Sequence, residues 1–274
     1  MCPNCRAFIT TKDRVCPYCE VPLAPRPVQR SEDDGGLLAG IIPHATFVTS
    51  LILILNFGLY FAATLLSMKS GNGGAFMSLD GLSLFRFGAK EGQAIFAGQW
   101  WRLITAGFLH GGLFHIFLNS WALYDVGANV EQIYGARRFI VIYFMSTVAG
   151  FMASLVWTPA LSVGASAGLF GLIGAMIAVT MGDRTSYASM LRGFYVRWAI
   201  YGLLLGLLPF FRTDNAAHLG GLAAGFLVGW VAGTPRPSRP FMEKIWMIGA
   251  ISSIAITVLG FVRMYLWFAG FSRI

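Results

Sequence analysis

Charge is scarce in this chain of 274 residues: Asp, Glu, Lys and Arg make up 12% of it, while hydrophobic residues make up 56%. A mean hydropathy of +0.66 goes with that shortage, and the two together exclude an ordinary soluble domain, where charged residues are about a quarter of the chain. Alternation of apolar and polar residues, the mark of a half-buried strand, is also missing, which excludes folds built on a sheet. Cysteine occurs only at positions 2, 5, 16 and 19. The first 40 residues are polar, so no cleavable signal peptide is expected.

Long apolar runs are abundant. A helix needs about 20 mostly apolar residues to cross a bilayer, and seven stretches predict spans at 46–68, 113–130, 138–158, 166–182, 194–211, 217–233 and 243–268. Between them stand turn-like or charged breaks such as Gly71-Asn72-Gly73-Gly74, Gly135-Ala136-Arg137-Arg138 and Gly182-Asp183-Arg184, which belong at the membrane surfaces. Several spans are short and rich in Gly and Ala, residues that let helices pack closely in lipid. The expected fold is an all-α polytopic bundle.

Basic residues in short loops mark the cytoplasmic side. Arg137 and Arg138 follow span two, Arg184, Arg192 and Arg197 lie between or near spans four and five, and Arg236, Arg239 and Lys244 lie between spans six and seven. The alternate loops are nearly bare, 212–216 carrying only Arg212. This predicts a cytoplasmic N-terminus and an external C-terminus, with a bacterial inner (plasma) membrane as the expected location. The 69–112 segment, with four basic residues on the outer side, opposes that orientation weakly because of its length. The net charge of +8 then reads as topology and contact with anionic lipid, with no nucleic-acid partner.

The polar start forms a separate unit. Cys2-Pro3-Asn4-Cys5 and Cys16-Pro17-Tyr18-Cys19 are two C-x-x-C knuckles, and four thiolates so spaced can surround one tetrahedral zinc, whose binding would supply most of the folding energy of so small a module. Iron could occupy the same ligands. Paired disulfides disagree with the predicted cytoplasmic location, and redox C-x-x-C chemistry lacks its βαβ setting. The expected organisation is a zinc ribbon at 1–25, a flexible linker at 26–45, a membrane core at 46–234, and a loop with the seventh helix at 235–274. A cytoplasmic partner of the ribbon is one expected use.

Polar residues inside spans are costly in lipid and count as functional candidates. His115 and Asn119 lie four apart on one face of span two, with His110 just before it; Ser166 opens span four and His218 opens span six. In the predicted topology these spans all begin at the outer surface, so the side chains share a depth. Serine needs a base to take its proton, and histidine is the usual one. An acyl-transfer oxyanion needs donors, which a helix N-terminus and side chains such as His115 and Asn119 can supply. No acid is placed to complete a triad: Asp214 reads as a loop residue, Asp125 lies opposite Asn119, and Glu131 is at the inner end of its span. A Ser166–His218 dyad is the economical reading.

Trp101-Arg102, His110-x4-His115-x3-Asn119, Glu131, Gly164-x-Ser166 and Ala217-His218-x-x-Gly221-x3-Gly225, taken in order, resemble the rhomboid intramembrane serine proteases over residues from about 45 to 232. The resemblance implies a six-helix core, here with a seventh helix appended, and no cofactor for catalysis. It implies Ser166 as nucleophile, His218 as base, His115 and Asn119 as oxyanion donors, and single-span membrane proteins as substrates. Trp101 and Arg102 would support the family's membrane-embedded first loop, and His110, Glu131, Gly164, Gly221 and Gly225 would be structural. Two positions depart from the pattern. Ala167 follows the serine where many members have glycine, so its methyl could crowd the turn, and Phe170 stands where some carry tyrosine.

Competing readings exist for each part. Gly164-x-Ser166-x-Gly168 alone reads as a helix-packing motif, His115 and Asn119 could simply bond neighbouring helices, and Trp101 could be an interfacial aromatic. The functional alternative is a non-catalytic relative that binds membrane clients. A transporter would need paired charges or broken helices at the midplane, and the sequence shows no such pairing.

Overall fold

A computed structural model describes residues 4–5, 15–16, 18–21, 46–183, 185–208, 213–233 and 240–271. Cys2, the 26–45 linker, Arg184, Arg212, Arg236 and Arg239 lie outside the described residues. The chain divides into two compact units, Met1–Gly40 and Ile41–Ile274.

The larger unit opens with helix α1 (Phe47–Lys69). The 70–112 segment, expected as a loop, instead folds into three short helices, α2 (Gly81–Arg86), α3 (Gly92–Phe96) and α4 (Arg102–Thr105), followed by a 3-10 turn over Ala106–Phe108. Asp80 starts α2 by accepting from Ser83 N at 2.8 Å, and Glu91 starts α3 by accepting from Gln93 N and Ala94 N, as N-cap side chains do.

Helix α5 (Leu113–Ala122) runs through a π-turn at Leu123–Gly127 into α6 (Ala128–Trp157). Gly135, at φ 75° and ψ 161°, breaks α6 at the expected Gly-Ala-Arg-Arg surface break. Only glycine takes that conformation without strain. Then come α7 (Ser166–Met181), α8 (Ser186–Leu205), α9 (Asn215–Ala232) and α10 (Pro240–Phe271).

Phe47–Lys69, Leu113–Trp157, Asn215–Ala232 and Pro240–Gly270 are long and apolar enough to cross a bilayer, the second of them as two arms about Gly135. Large apolar side chains such as Phe61, Phe117, Trp230 and Ile251 stand exposed along the helices, an arrangement suited to lipid rather than water. The protein is a polytopic helical membrane protein.

Span five shows the largest displacement from expectation: α8 covers Ser186–Leu205 in place of 194–211. Thr185 caps its start, accepting from Ala188 N at 3.2 Å. Arg192, in sequence a loop charge, belongs to the helix and donates to Thr180 O at 2.9 Å, neutralising a carbonyl near the end of α7.

The centre of the bundle is α7, packed on α6, α8 and most extensively on α9. Its seam with α9 is built of missing side chains. A Cβ on Gly221 would lie 2.1 Å from Ala167 O, one on Gly225 2.0 Å from Gly171 O, and one on Gly174 2.2 Å from Leu222 O. These are backbone atoms, so the two helices touch main chain to main chain.

Helix α1 has no side-chain cap of its own. Glu131, 3% exposed, supplies one from α6: its carboxylate accepts from Val48 N, Thr49 N and Thr49 Oγ1, each at 2.9 Å. A carboxylate at a helix N-terminus satisfies orphan donors and complements the dipole. Glu131→Gln would turn an amide N–H₂ towards one of these donors and is expected to cost about 2 kcal/mol. A lowered unfolding temperature in detergent is the readout, and an unchanged one would remove Glu131 from this role.

Candidate active site

Ser166 is the first residue of α7 and His218 lies in the first turn of α9. The glycine seam therefore brings together two side chains that start different helices. Ser166 Oγ and His218 Nε2 are 2.9 Å apart, within hydrogen-bond range. His218 is buried, and Phe170 stacks on its ring with centroids 4.2 Å apart and planes inclined by 9°. Phe170 has room because α8 offers Gly202, where a Cβ would sit 2.6 Å from Phe170 Cζ. His218 Nδ1 has no partner among the described residues.

Asp214, expected in a loop, is the N-cap of α9. Its carboxylate accepts from Ala217 N at 3.0 Å and from the Ser154 hydroxyl, which ties the start of α9 to α6.

His115 faces the same place. Gly111 N donates to His115 Nδ1 at 3.3 Å, which leaves Nε2 to carry the imidazole proton. Gly164, at φ 143°, is the residue that permits the approach: a Cβ there would stand 2.8 Å from His115 Nε2 and 3.3 Å from Ser166 Oγ. Its backbone N–H bonds Ala106 O at 3.0 Å, docking the 158–165 segment on the 3-10 turn. His110 is buried edge-on to His115, ring centroids 5.1 Å apart.

Asn119, expected as a side-chain donor, is partly engaged within its own helix. Its Nδ2 donates to His115 O at 2.9 Å, one turn back on the same helix. That bond uses one of the two amide protons and leaves the other.

Ala167 does not crowd the turn. Its side chain is fully buried with Ala106, Phe151 and Ala217, in a notch opened by Gly150, whose own Cβ would lie 2.8 Å from that methyl. The larger residue on α7 is matched by the absence of one on α6.

Arg102 braces the 70–112 segment, next to the buried Trp101. The Arg102 guanidinium, fully buried, donates to Phe85 O at 2.7 Å, Ala89 O at 2.9 Å and Gln99 Oε1 at 2.8 Å. It lies 4.0 Å from the Phe85 ring centroid and 4.9 Å from that of Trp267 on α10. Burial lowers its pKa to about 10, against a smaller opposing pull from Glu91, so it stays charged at neutral pH.

Lys90, in sequence only an outer-side charge, is as deeply buried as Arg102. Its Nζ donates to Thr158 O at 2.6 Å, Ala160 O at 3.0 Å and Ser154 O at 3.4 Å, closing the C-terminal end of α6. Burial pushes its pKa down, while Asp214 and Glu91 push it back up. Nothing in the local sequence, Arg86-Phe87-Gly88-Ala89-Lys90-Glu91, marks this lysine as buried.

Residues 97–235, about half of the chain, match the Rhomboid domain family. Rhomboid protease GluP of Bacillus subtilis (strain 168) is 36% identical over 187 residues, covering 68% of this chain and 36% of the relative. RHOMBOID-like protein 1 of Arabidopsis thaliana is 37% identical over 154 residues, 55% of this chain and 39% of the relative. Inactive RHOMBOID-like protein 8 of Arabidopsis thaliana is 38% identical over 126 residues, 44% of this chain and 35% of the relative. The chain spans about a third to a half of the length of such relatives. The matched region contains Trp101, Arg102, His115, Asn119, Ser166 and His218, and with it the chain belongs to the rhomboid family.

Proposed function

We propose that this protein is an intramembrane serine endopeptidase that cuts single-span membrane proteins near the outer face of the bilayer through a Ser166–His218 dyad. The observation that carries the reading is the 2.9 Å approach of Ser166 Oγ to His218 Nε2, a nucleophile–base contact between residues that begin two separate helices. In the proposed reaction His218 Nε2 takes the hydroxyl proton as Ser166 Oγ attacks the peptide carbonyl. The oxyanion receives the Nε2–H of His115, the second amide proton of Asn119 and backbone N–H groups at the start of α7. Collapse expels the amine, which leaves with the proton held by His218. Water, activated by the same imidazole, then hydrolyses the acyl-enzyme. No metal or organic cofactor takes part in this scheme, and the N-terminus is assigned to the cytoplasm.

Membership of the family does not by itself settle catalysis, since one relative is named inactive. The test is covalent labelling of the purified, detergent-solubilised protein by a fluorophosphonate probe, which reports an activated serine without a known substrate. Labelling is expected in the unaltered protein and absent in Ser166→Ala. No labelling of the unaltered protein, or equal labelling of the variant, would overturn the assignment and leave a client-binding role as the better reading.

A further inference from the structure

The N-terminal unit holds a cluster that the proposed protease chemistry does not use. The sulfurs of Cys5, Cys16 and Cys19 all lie within 4.8 Å of one another, and Cys5 Sγ and Cys16 Sγ are 3.6 Å apart. Zinc–sulfur bonds of about 2.3 Å in a tetrahedron require sulfur–sulfur edges of about 3.8 Å. A disulfide uses two sulfurs at bonding distance, so three converging thiols describe the faces of a coordination site better than a pairing.

Glu20 N donates to Cys16 O at 2.9 Å and Cys16 N to Val21 O at 3.0 Å, closing a tight turn around the second knuckle. Glu20 completes that turn at φ 57°, the only positive φ outside glycine among the described residues, a conformation that needs support from elsewhere.

Among the described residues of this unit Val15 is 50% exposed and Tyr18 72%, Val21 is half-buried, and Cys16 is buried. A module of about 40 residues usually needs a metal or a covalent staple to fold. The sequence provides a fourth thiol, Cys2, at the spacing to Cys5 that Cys16 has to Cys19.

We propose that Cys5, Cys16 and Cys19, completed by Cys2, bind one zinc ion as a tetrathiolate site that organises the N-terminal unit. Binding exchanges the thiol protons for the metal, with no change of oxidation state. Zinc binding in this unit stands or falls independently of proteolysis by the other.

The full-length protein, purified without chelator in a reducing buffer, should contain about one zinc per chain by elemental mass spectrometry. Cys5→Ser and Cys16→Ser should each lower zinc content at least severalfold while leaving the helical circular dichroism and unfolding temperature of the membrane unit unchanged. Alkylation should modify none of the four thiols in the native protein and all four after chelation and unfolding. Metal-free protein with freely reactive thiols, bound iron in place of zinc, or disulfides that survive chelation would each overturn the proposal. So would zinc retained at full stoichiometry in both serine variants.

Discussion

Replacing His218 by alanine is expected to lower cleavage of an artificial single-span substrate by about a thousandfold or more, a loss near 4 kcal/mol of transition-state stabilisation. General-base help alone contributes about 10²–10⁴-fold, and among the described residues no second base stands ready to replace the imidazole. His115 uses Nδ1 to accept from Gly111, and Asp214 is committed to Ala217 N and Ser154. The loss should fall on kcat, because His218 is buried behind Phe170 and Ser166 and offers little surface to bind substrate. An unfolding temperature within a few degrees of the unaltered protein separates lost chemistry from lost fold. A fall of less than tenfold in kcat would remove His218 as the base.

The second large effect is expected from one methyl group. In Gly225→Ala the new Cβ would meet Gly171 O at 2.0 Å and Gly171 Cα at 2.4 Å. Ordinary contact begins near 3.4 Å, and a backbone carbonyl inside a helix cannot swing aside as a flexible side chain would. Helices α7 and α9 must separate by more than an ångström at that level, and overpacking of this kind costs about 1–3 kcal/mol or more. Separation also lengthens the 2.9 Å dyad contact, so both thermal stability and fluorophosphonate labelling should fall sharply. Gly260→Ala is the matched control: its Cβ would find neighbours no closer than 3.7 Å and should leave both readouts near the unaltered level. Equal behaviour of the two variants would refute the main-chain seam as the determinant of dyad geometry.

How much of this can be read from the chain depends on the range of the interaction involved. Helices α1, α7, α9 and α10 follow from apolar runs and their glycine or charged breaks, both local properties. Helix α8 departs from its expected bounds because Arg192 and Arg197 look like loop charges in sequence, whereas Thr185 caps the helix before them and Arg192 reaches back to Thr180 O. The short helices of 70–112 are invisible in sequence for a related reason. Arg102 and Lys90 hold that segment through carbonyls at Phe85, Ala89, Thr158 and Ala160, and no spacing rule links a cation to a carbonyl 13 to 70 residues away. Two of the four basic residues that weigh against the predicted orientation are thus internal cations.

The meeting of Ser166, His115 and His218 is anticipated by topology and family resemblance. The reason Gly164 must be glycine appears only in three dimensions, where a Cβ would collide with the His115 ring. Ala167 makes the complementary point. Its methyl looks like an obstacle in sequence, and its tolerance depends on Gly150, in the preceding helix.

The seam between α7 and α9 has one further consequence. Where side chains form a helix interface, a site can be retuned by rotamer changes, and small displacements are absorbed by soft torsions. Here peptide groups meet peptide groups, so few such torsions are available at the contact. The alignment of Ser166 with His218 inherits the stiffness of covalent backbone geometry, and sliding one helix by a single residue would shift it about 1.5 Å, roughly half the length of the hydrogen bond it has to preserve.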